Sequence, residues 1–204
     1  MATADAIDLT TLAKVKTELG PSVTNLTGAA LAQVEDLLQG IITACSRVLM
    51  TQIGRRIKSS TITKTFHGDA TYGMALPNGP VTAVSAVSID ENSIPQSTSV
   101  TEPGWILLND RLELRGYVFT AGTGNVMVTY TSGFGTVPQD IERACVELSV
   151  WVYQNRNHVG IQQRSVHDAD AVTFRKDEWP FLVQMTVDAY KTSLGIAIFG
   201  GVEE

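Results

Sequence analysis

Imidazole and carboxylate groups that could bind a metal come together twice in this chain, at His67 and Asp69 and again at His167, Asp168 and Asp170. A metal centre needs three or four donors held at defined spacing by rigid elements. Both groups fall short of that count and lie among turn residues, so they are read as solvated loops. Neither Ser132 nor Ser165 sits in a strand-to-helix elbow with an identifiable base, as a serine nucleophile would require. The segment Gly122-Thr123-Gly124 lacks the third glycine of a dinucleotide loop and precedes a strand rather than a helix, so a hairpin turn is expected there. A glycine-rich phosphate loop ending in Lys-Ser or Lys-Thr is absent from the sequence. The reading therefore assigns no catalytic, cofactor or metal residues, and no enzyme.

The other groups suited to chemistry or binding are cysteines, a basic cluster, a loop and a tail. Cys45 and Cys145 each fall on the apolar side of an expected helix, where reduced thiols behave as small hydrophobes. Arg55, Arg56 and Lys58 form the only compact basic cluster. They could cap a helix, contact DNA phosphates or meet an acidic patch on a neighbouring subunit. Residues 156–178 show no sustained period and contain Arg156, His158, Arg164, His167 and Arg175, which makes this long connection a candidate interface loop. The apolar tail residues Ile196, Ile198 and Phe199 could fold back on their own domain or enter a partner's groove.

Composition limits the class. At 204 residues, 44% hydrophobic and 18% charged, the chain can bury roughly 70% of its unfolded surface. A net charge of -6 argues against a surface that attracts nucleic acid everywhere. No apolar run approaches the ~20 residues of a membrane span, and the first eight residues lack a basic start followed by an apolar signal core. A protein made and used without secretion, and without a membrane partner, is expected.

The elements that must position these groups follow from periodicity. Leu12, Val15 and Leu19 imply a helix over residues 10–19, stopped by Gly20-Pro21. Leu31, Val34, Leu37, Leu38, Ile41, Ile42, Cys45, Val48, Leu49 and Ile53 keep helical spacing over more than six turns, up to Gly54. Short strands are expected at 61–66, 81–89, 105–108, 111–114 and 125–131, separated by turn residues. A third long helix is expected over 138–155, with Ile141, Cys145, Leu148, Trp151 and Val152 inward. A last helix from Pro180 to about Gly195 would bury Leu182, Met185, Thr186 and Ala189. The fold class is α+β: a bundle of about four helices with a small antiparallel β insertion between the second and third main helices. The expected divisions are 1–58 for N-terminal helices, 59–133 for the β insertion, 134–195 for C-terminal helices with the 156–178 loop, and 196–204 for the tail.

Within the stretch from Gly124 to Ile141 the period changes from two to 3.6. Val126, Val128 and Tyr130 alternate along a strand, Gly133 and Gly135 permit a tight reversal, and Thr136 with Gln139 has capping-box spacing ahead of a helix in which Pro138 fits the first turn. The segment VTYTSGFGTVPQDIERACVELSVWVYQNR resembles the corresponding part of the head-tail connector (adaptor, or head completion) proteins of tailed bacteriophages. The resemblance extends over residues 9–192 through LTTLAKVKTELG, IGRRI, LPNGPVTAVSAVSID and WPFLVQMTVDAY, which occur in the family's order.

That resemblance implies a structural virion protein of the neck, assembled in the host cytoplasm. It implies a homo-oligomeric ring, a dodecamer, beneath the portal protein. The ring would extend the channel for genomic double-stranded DNA, which passes without sequence-specific binding, and would present a platform for a stopper or tail completion protein. The β region and apolar tail are additions relative to shorter members of the family. A rival reading is a monomeric ligand- or carbohydrate-binding module that uses the β insertion, for which an exposed Trp105 beside a groove would be the mark.

Overall fold

The computed structural model describes residues 4–99, 101–156, 163–166, 170–173 and 179–195, with side chains left aside in 163–173 and 192–195. The protein is α+β, with five helices and antiparallel sheets among the described residues. It divides into two compact units, one formed by Met1–Gly54 with Val137–Glu204 and the other by Arg55–Thr136.

The first unit is helical. Helix α1 (Leu12–Leu19) begins at Thr11, whose Oγ1 accepts a hydrogen bond from the Lys14 amide. Gly20 ends it with φ 66°, and Pro21 opens the short α2 (Pro21–Thr24). Helix α3 (Gly28–Ile53) stops where Gly54 takes a left-handed conformation, φ 81°, and its N–H donates to the Met50 carbonyl. That is the termination expected of a glycine just past a helix end. Leu38, Ile42, Cys45, Leu49 and Ile53 form the buried face of α3. Of its other apolar positions in the stripe, Leu31, Val34 and Ile41 are half-buried, and Leu37 and Val48 are exposed.

Helix α4 (Gln139–Asn155) buries Ile141, Ala144, Cys145 and Leu148. Val146 and Tyr153 of α4 join Val15, Val23, Leu38 and Ile42 in a core shared with α1, α2 and α3. Pro138 is the residue preceding α4, and no side chain caps the helix there. The capping box expected from Thr136 and Gln139 is therefore not formed: Pro138 holds the extended φ and ψ of a cap, and Thr136 lies two positions before it. The last helix, α5 (Phe181–Gly195), buries Val183, Thr186 and Val187. Of the residues expected inward, Thr186 is buried and Leu182 half-buried, but Met185 and Ala189 are exposed, so the buried line is rotated toward Val183 and Val187. Both faces of α5 carry apolar residues at helical spacing, and the packing against α3 and α4 selects one of them.

The segment before α1 is fixed by a buried carboxylate. Asp8 accepts hydrogen bonds from Gln39 Nε2 at 2.5 Å and Thr43 Oγ1 at 2.8 Å, both on α3. The next amide, Leu9 N, donates to Ser46 Oγ. A carboxylate can be buried when several donors replace its lost water.

The second unit consists of two packed sheets. Strands β1 (Ser60–Gly68), β2 (Gly73–Ala75), β3 (Val81–Ile89), β4 (Asn92–Ile94), β5 (Gly104–Leu108), β6 (Arg111–Arg115) and β7 (Gly122–Ser132) arrange as β1-β7-β3-β4 and β2-β6-β5. Val87, Ile89, Val126, Val128 and Tyr130 from the larger sheet meet Trp105, Leu112, Leu114 and Phe119 in one core. The strict alternation of Val126, Val128 and Tyr130 places all three inward at 0% exposure. Opposite them, Thr61 and Thr63 of β1 hydrogen-bond Thr131 and Thr129 of β7 on the outer face.

Two turn readings change in this unit. Gly122 and Gly124 belong to the start of β7; Gly122 pairs with Gly68 of β1 and Gly124 sits in the irregularity between that pair and Phe66–Val126, so they are not a hairpin turn. Gly124 has φ 67°, and its amide donates to His67 Nδ1, which explains the glycine there. The strands β2 and β4, three residues each, are too short to carry a detectable alternation.

Candidate interaction surfaces

The three basic residues after α3 have different environments. Arg55 is half-buried; its Nη1 donates to the Gly79 carbonyl at 2.9 Å, and its guanidinium lies 5.6 Å from the centre of the Phe134 ring. Arg55 thus ties the start of the β unit to the β2–β3 connection and to the glycine turn. Arg56 is exposed. Lys58 forms a parallel bridge with Phe134, and the backbone bonds from Ser59 N to Phe134 O and from Phe134 N to Ile57 O flank it.

That ladder explains the glycine turn. Gly133 adopts φ 99°, and a Cβ there would lie 2.6 Å from the Lys58 carbonyl oxygen. Gly135 has open space around it and no positive φ.

The candidate interface loop begins with Arg156 at the end of α4, stacked 3.8 Å from the centre of the Tyr153 ring and hydrogen-bonded to the Tyr153 carbonyl. Cation and helix carbonyl meet as the helix dipole favours. Arg164 lies in β8 (Gln163–Val166), which pairs antiparallel with β9 (Asp170–Thr173). The 156–178 span thus contains a hairpin that its polar sequence, with no alternation of apolar residues, did not reveal. His158, His167 and Arg175 lie outside the described residues, as do the tail residues Ile196, Ile198 and Phe199.

Sequence reasoning missed an apolar groove between α3 and α4. Leu37, Gly40, Ile41, Ala44, Cys45 and Val48 line one wall, Leu148, Trp151 and Val152 the other, and Trp179 and Asp36 complete the rim. Its volume is about 490 Å³. The available signal was the width of the α3 stripe, which exceeds what one buried face needs. Trp151 and Val152, expected inward, are half-exposed here.

Both cysteines are free and buried. Burial pushes the Cys45 thiol up and raises Cys145 to about 12, against which the Ser46 hydroxyl works only partly. Thiols so disfavoured as thiolates are poor nucleophiles. Among the described residues, no three His, Cys, Asp or Glu side chains converge as a metal would require. No helix among them is long and apolar enough to cross a membrane. Trp105 is buried at 5% exposure within the β core, so it does not supply the exposed aromatic that a carbohydrate-binding reading needs.

The family model for head completion proteins matches residues 20–193. No curated protein sequence matches the chain significantly. Among solved structures, the chain is similar to a protein in the neck of a native GTA particle computed with C12 symmetry. There the TM-score is 0.58 and the identity 20%, with 93% of this chain and 92% of the other covered. A subunit from the neck of an empty GTA particle computed with C6 symmetry matches with the same TM-score and identity, covering 93% of each chain. A chain in the virion of a native gene transfer agent (GTA) particle matches with TM-score 0.58 and 19% identity, over 93% of this chain and 92% of that one. The chain belongs to the head completion protein family.

Proposed function

We propose that this protein is a structural, non-catalytic subunit of the virion neck, and that it closes into a ring beneath the portal. The observation carrying this reading is the likeness, over 93% of the chain, to a neck subunit whose particle was computed with C12 symmetry. Family membership supports the same reading from the sequence side. Twelve copies related by rotation would make the heterologous, closing contacts that rings require.

In this reading the helices form a four-helix bundle that builds the ring wall, and strands β1–β7 form an inserted β domain. Portal would dock on one side and a stopper or tail completion protein on the other. Genomic double-stranded DNA would pass through the lumen without sequence-specific contacts. The net charge of -6 suits such passage, because cationic surfaces bind phosphates and retard movement.

The experiment is to assemble heads in cells that lack this chain. DNA should be packaged, yet the heads should lose it or fail to acquire tails, and adding the purified protein should restore complete particles. Normal tailed particles in its absence would refute the proposal.

A further inference from the structure

The segment ahead of α1 is closed on itself as well as docked on α3. Asp8 N donates to the Asp5 carbonyl at 3.1 Å, and Asp5 N donates to Asp8 Oδ2 at 2.8 Å, so residues 5–8 form one turn. That turn lies on a polar stripe of α3. Gln39, Thr43 and Ser46 recur at the four- and three-residue spacing that places side chains on one face of a helix, one position round from the apolar stripe of Leu38, Ile42, Cys45 and Leu49. Gln39 and Thr43 donate to the two oxygens of Asp8, and Ser46 Oγ accepts from Leu9 N at 3.0 Å. Arg47 reaches Asp5 at 3.5 Å.

We infer that residues 5–10 are a strap that opens as one piece while the helices stay packed, and that its opening admits solvent to Cys145. The strap is held mainly by polar bonds, which water replaces when it lifts. Leu9 is its one buried apolar side chain, with Ile7 half-buried. Segments with few buried apolar contacts open at a lower free energy than the whole fold. Asp8 carries two of the bonds to α3 and also closes the turn, so losing it releases the turn as a unit.

Cys145 lies behind the docked strap. Ser46 Oγ, which holds Leu9 N, is 3.5 Å from Cys145 Sγ. Burial is the main cause that keeps this thiol protonated, and the Asp8 charge adds to it. Cys45 supplies an internal reference. It is also a buried free thiol, but it lines the groove between α3 and α4, and none of the strap's partners on α3 belongs to that lining. Helical geometry puts the groove wall and the stripe under the strap on roughly opposite sides of α3. Lifting the strap therefore uncovers one thiol and leaves the surroundings of the other as they were.

The test labels the full chain with a soluble maleimide under native conditions and follows each cysteine by peptide mass mapping. Where opening and closing are fast relative to labelling, the rate reports the population of the open form. Asp8→Ala removes the anchor, and Thr43→Val removes one donor from a site that stays helical. Because hydrogen bonds to a charged group are strong, labelling of Cys145 relative to Cys45 should rise about tenfold or more in Asp8→Ala and about threefold or more in Thr43→Val. Thr43→Val decides alone if Asp8→Ala does not fold. An unchanged ratio would overturn the inference in either form. Equal labelling at the original rates would show that the strap does not gate Cys145, and an equal rise at both thiols would show that it opens only with global unfolding.

Discussion

Arg143 on α4 grips Glu18 on α1 with both guanidinium nitrogens, Nη1 to Oε2 and Nη2 to Oε1, each at 2.8 Å. Lys14 and Glu142 form a second bridge between the same helices at 2.6 Å. Both Arg143 and Glu18 are substantially exposed, so solvent screening keeps the pair near the 0.2–1 kcal/mol of exposed ion pairs. The Arg143 hydrogen bond holds the Glu18 carboxyl below its usual range. A depressed carboxyl contributes stability above its unfolded value and loses it as pH falls through the lower folded value. Arg143→Met should therefore lower stability by a few tenths of a kcal/mol at pH 7 and by less at pH 3, as measured by urea unfolding. An equal loss at both values would contradict the assignment.

Gly133 and Gly135 should differ sharply on substitution. At Gly133 an alanine meets a positive φ and the Lys58 carbonyl, and strained positions of this kind cost about 1–3 kcal/mol. At Gly135 the space is open, so alanine should change stability by about 1 kcal/mol or less. Thermal melts of the two variants provide the comparison.

Tyr130 is buried, and its hydroxyl donates to the Pro77 carbonyl at 3.2 Å. Tyr130→Phe keeps the ring in the β core but removes that donor, so a loss of about 1 kcal/mol is expected from chemical denaturation. Val128→Ala, which removes buried volume instead, should cost more.

Cys145 should resist thiol reagents in the folded protein and react on unfolding. With its thiol pushed from the ordinary 9.0 up to about 12 by burial, Cys145 favours folding below pH 9, and that contribution is lost as pH rises toward 12. Stability should decline across this alkaline window, less so in Cys145→Ala. Rapid modification under native conditions at pH 7.5 would show that Cys145 is not enclosed as described.

The parts legible in the sequence were those in which a single period dominated. Val126, Val128 and Tyr130 announce a half-buried strand, and Leu38, Ile42, Cys45 and Leu49 announce a helix face. Alternation fails for α5, where Met185 and Val183 lie on competing apolar faces and only neighbouring helices decide between them. Gly124 was misread because glycine marks a turn and a bulged strand equally well, and its partner His67 is distant in sequence. The groove could not be seen from α3 alone, since its second wall is supplied by Trp151 and Val152, more than a hundred residues later.

The central claim concerns assembly, and the mass of the particle formed with purified portal tests it most directly. Native mass spectrometry should show portal bound to a symmetric multimer of this chain, with twelve copies expected by analogy with the C12 neck. A chain that remains monomeric in the presence of portal, at concentrations where portal itself is intact, would contradict the account.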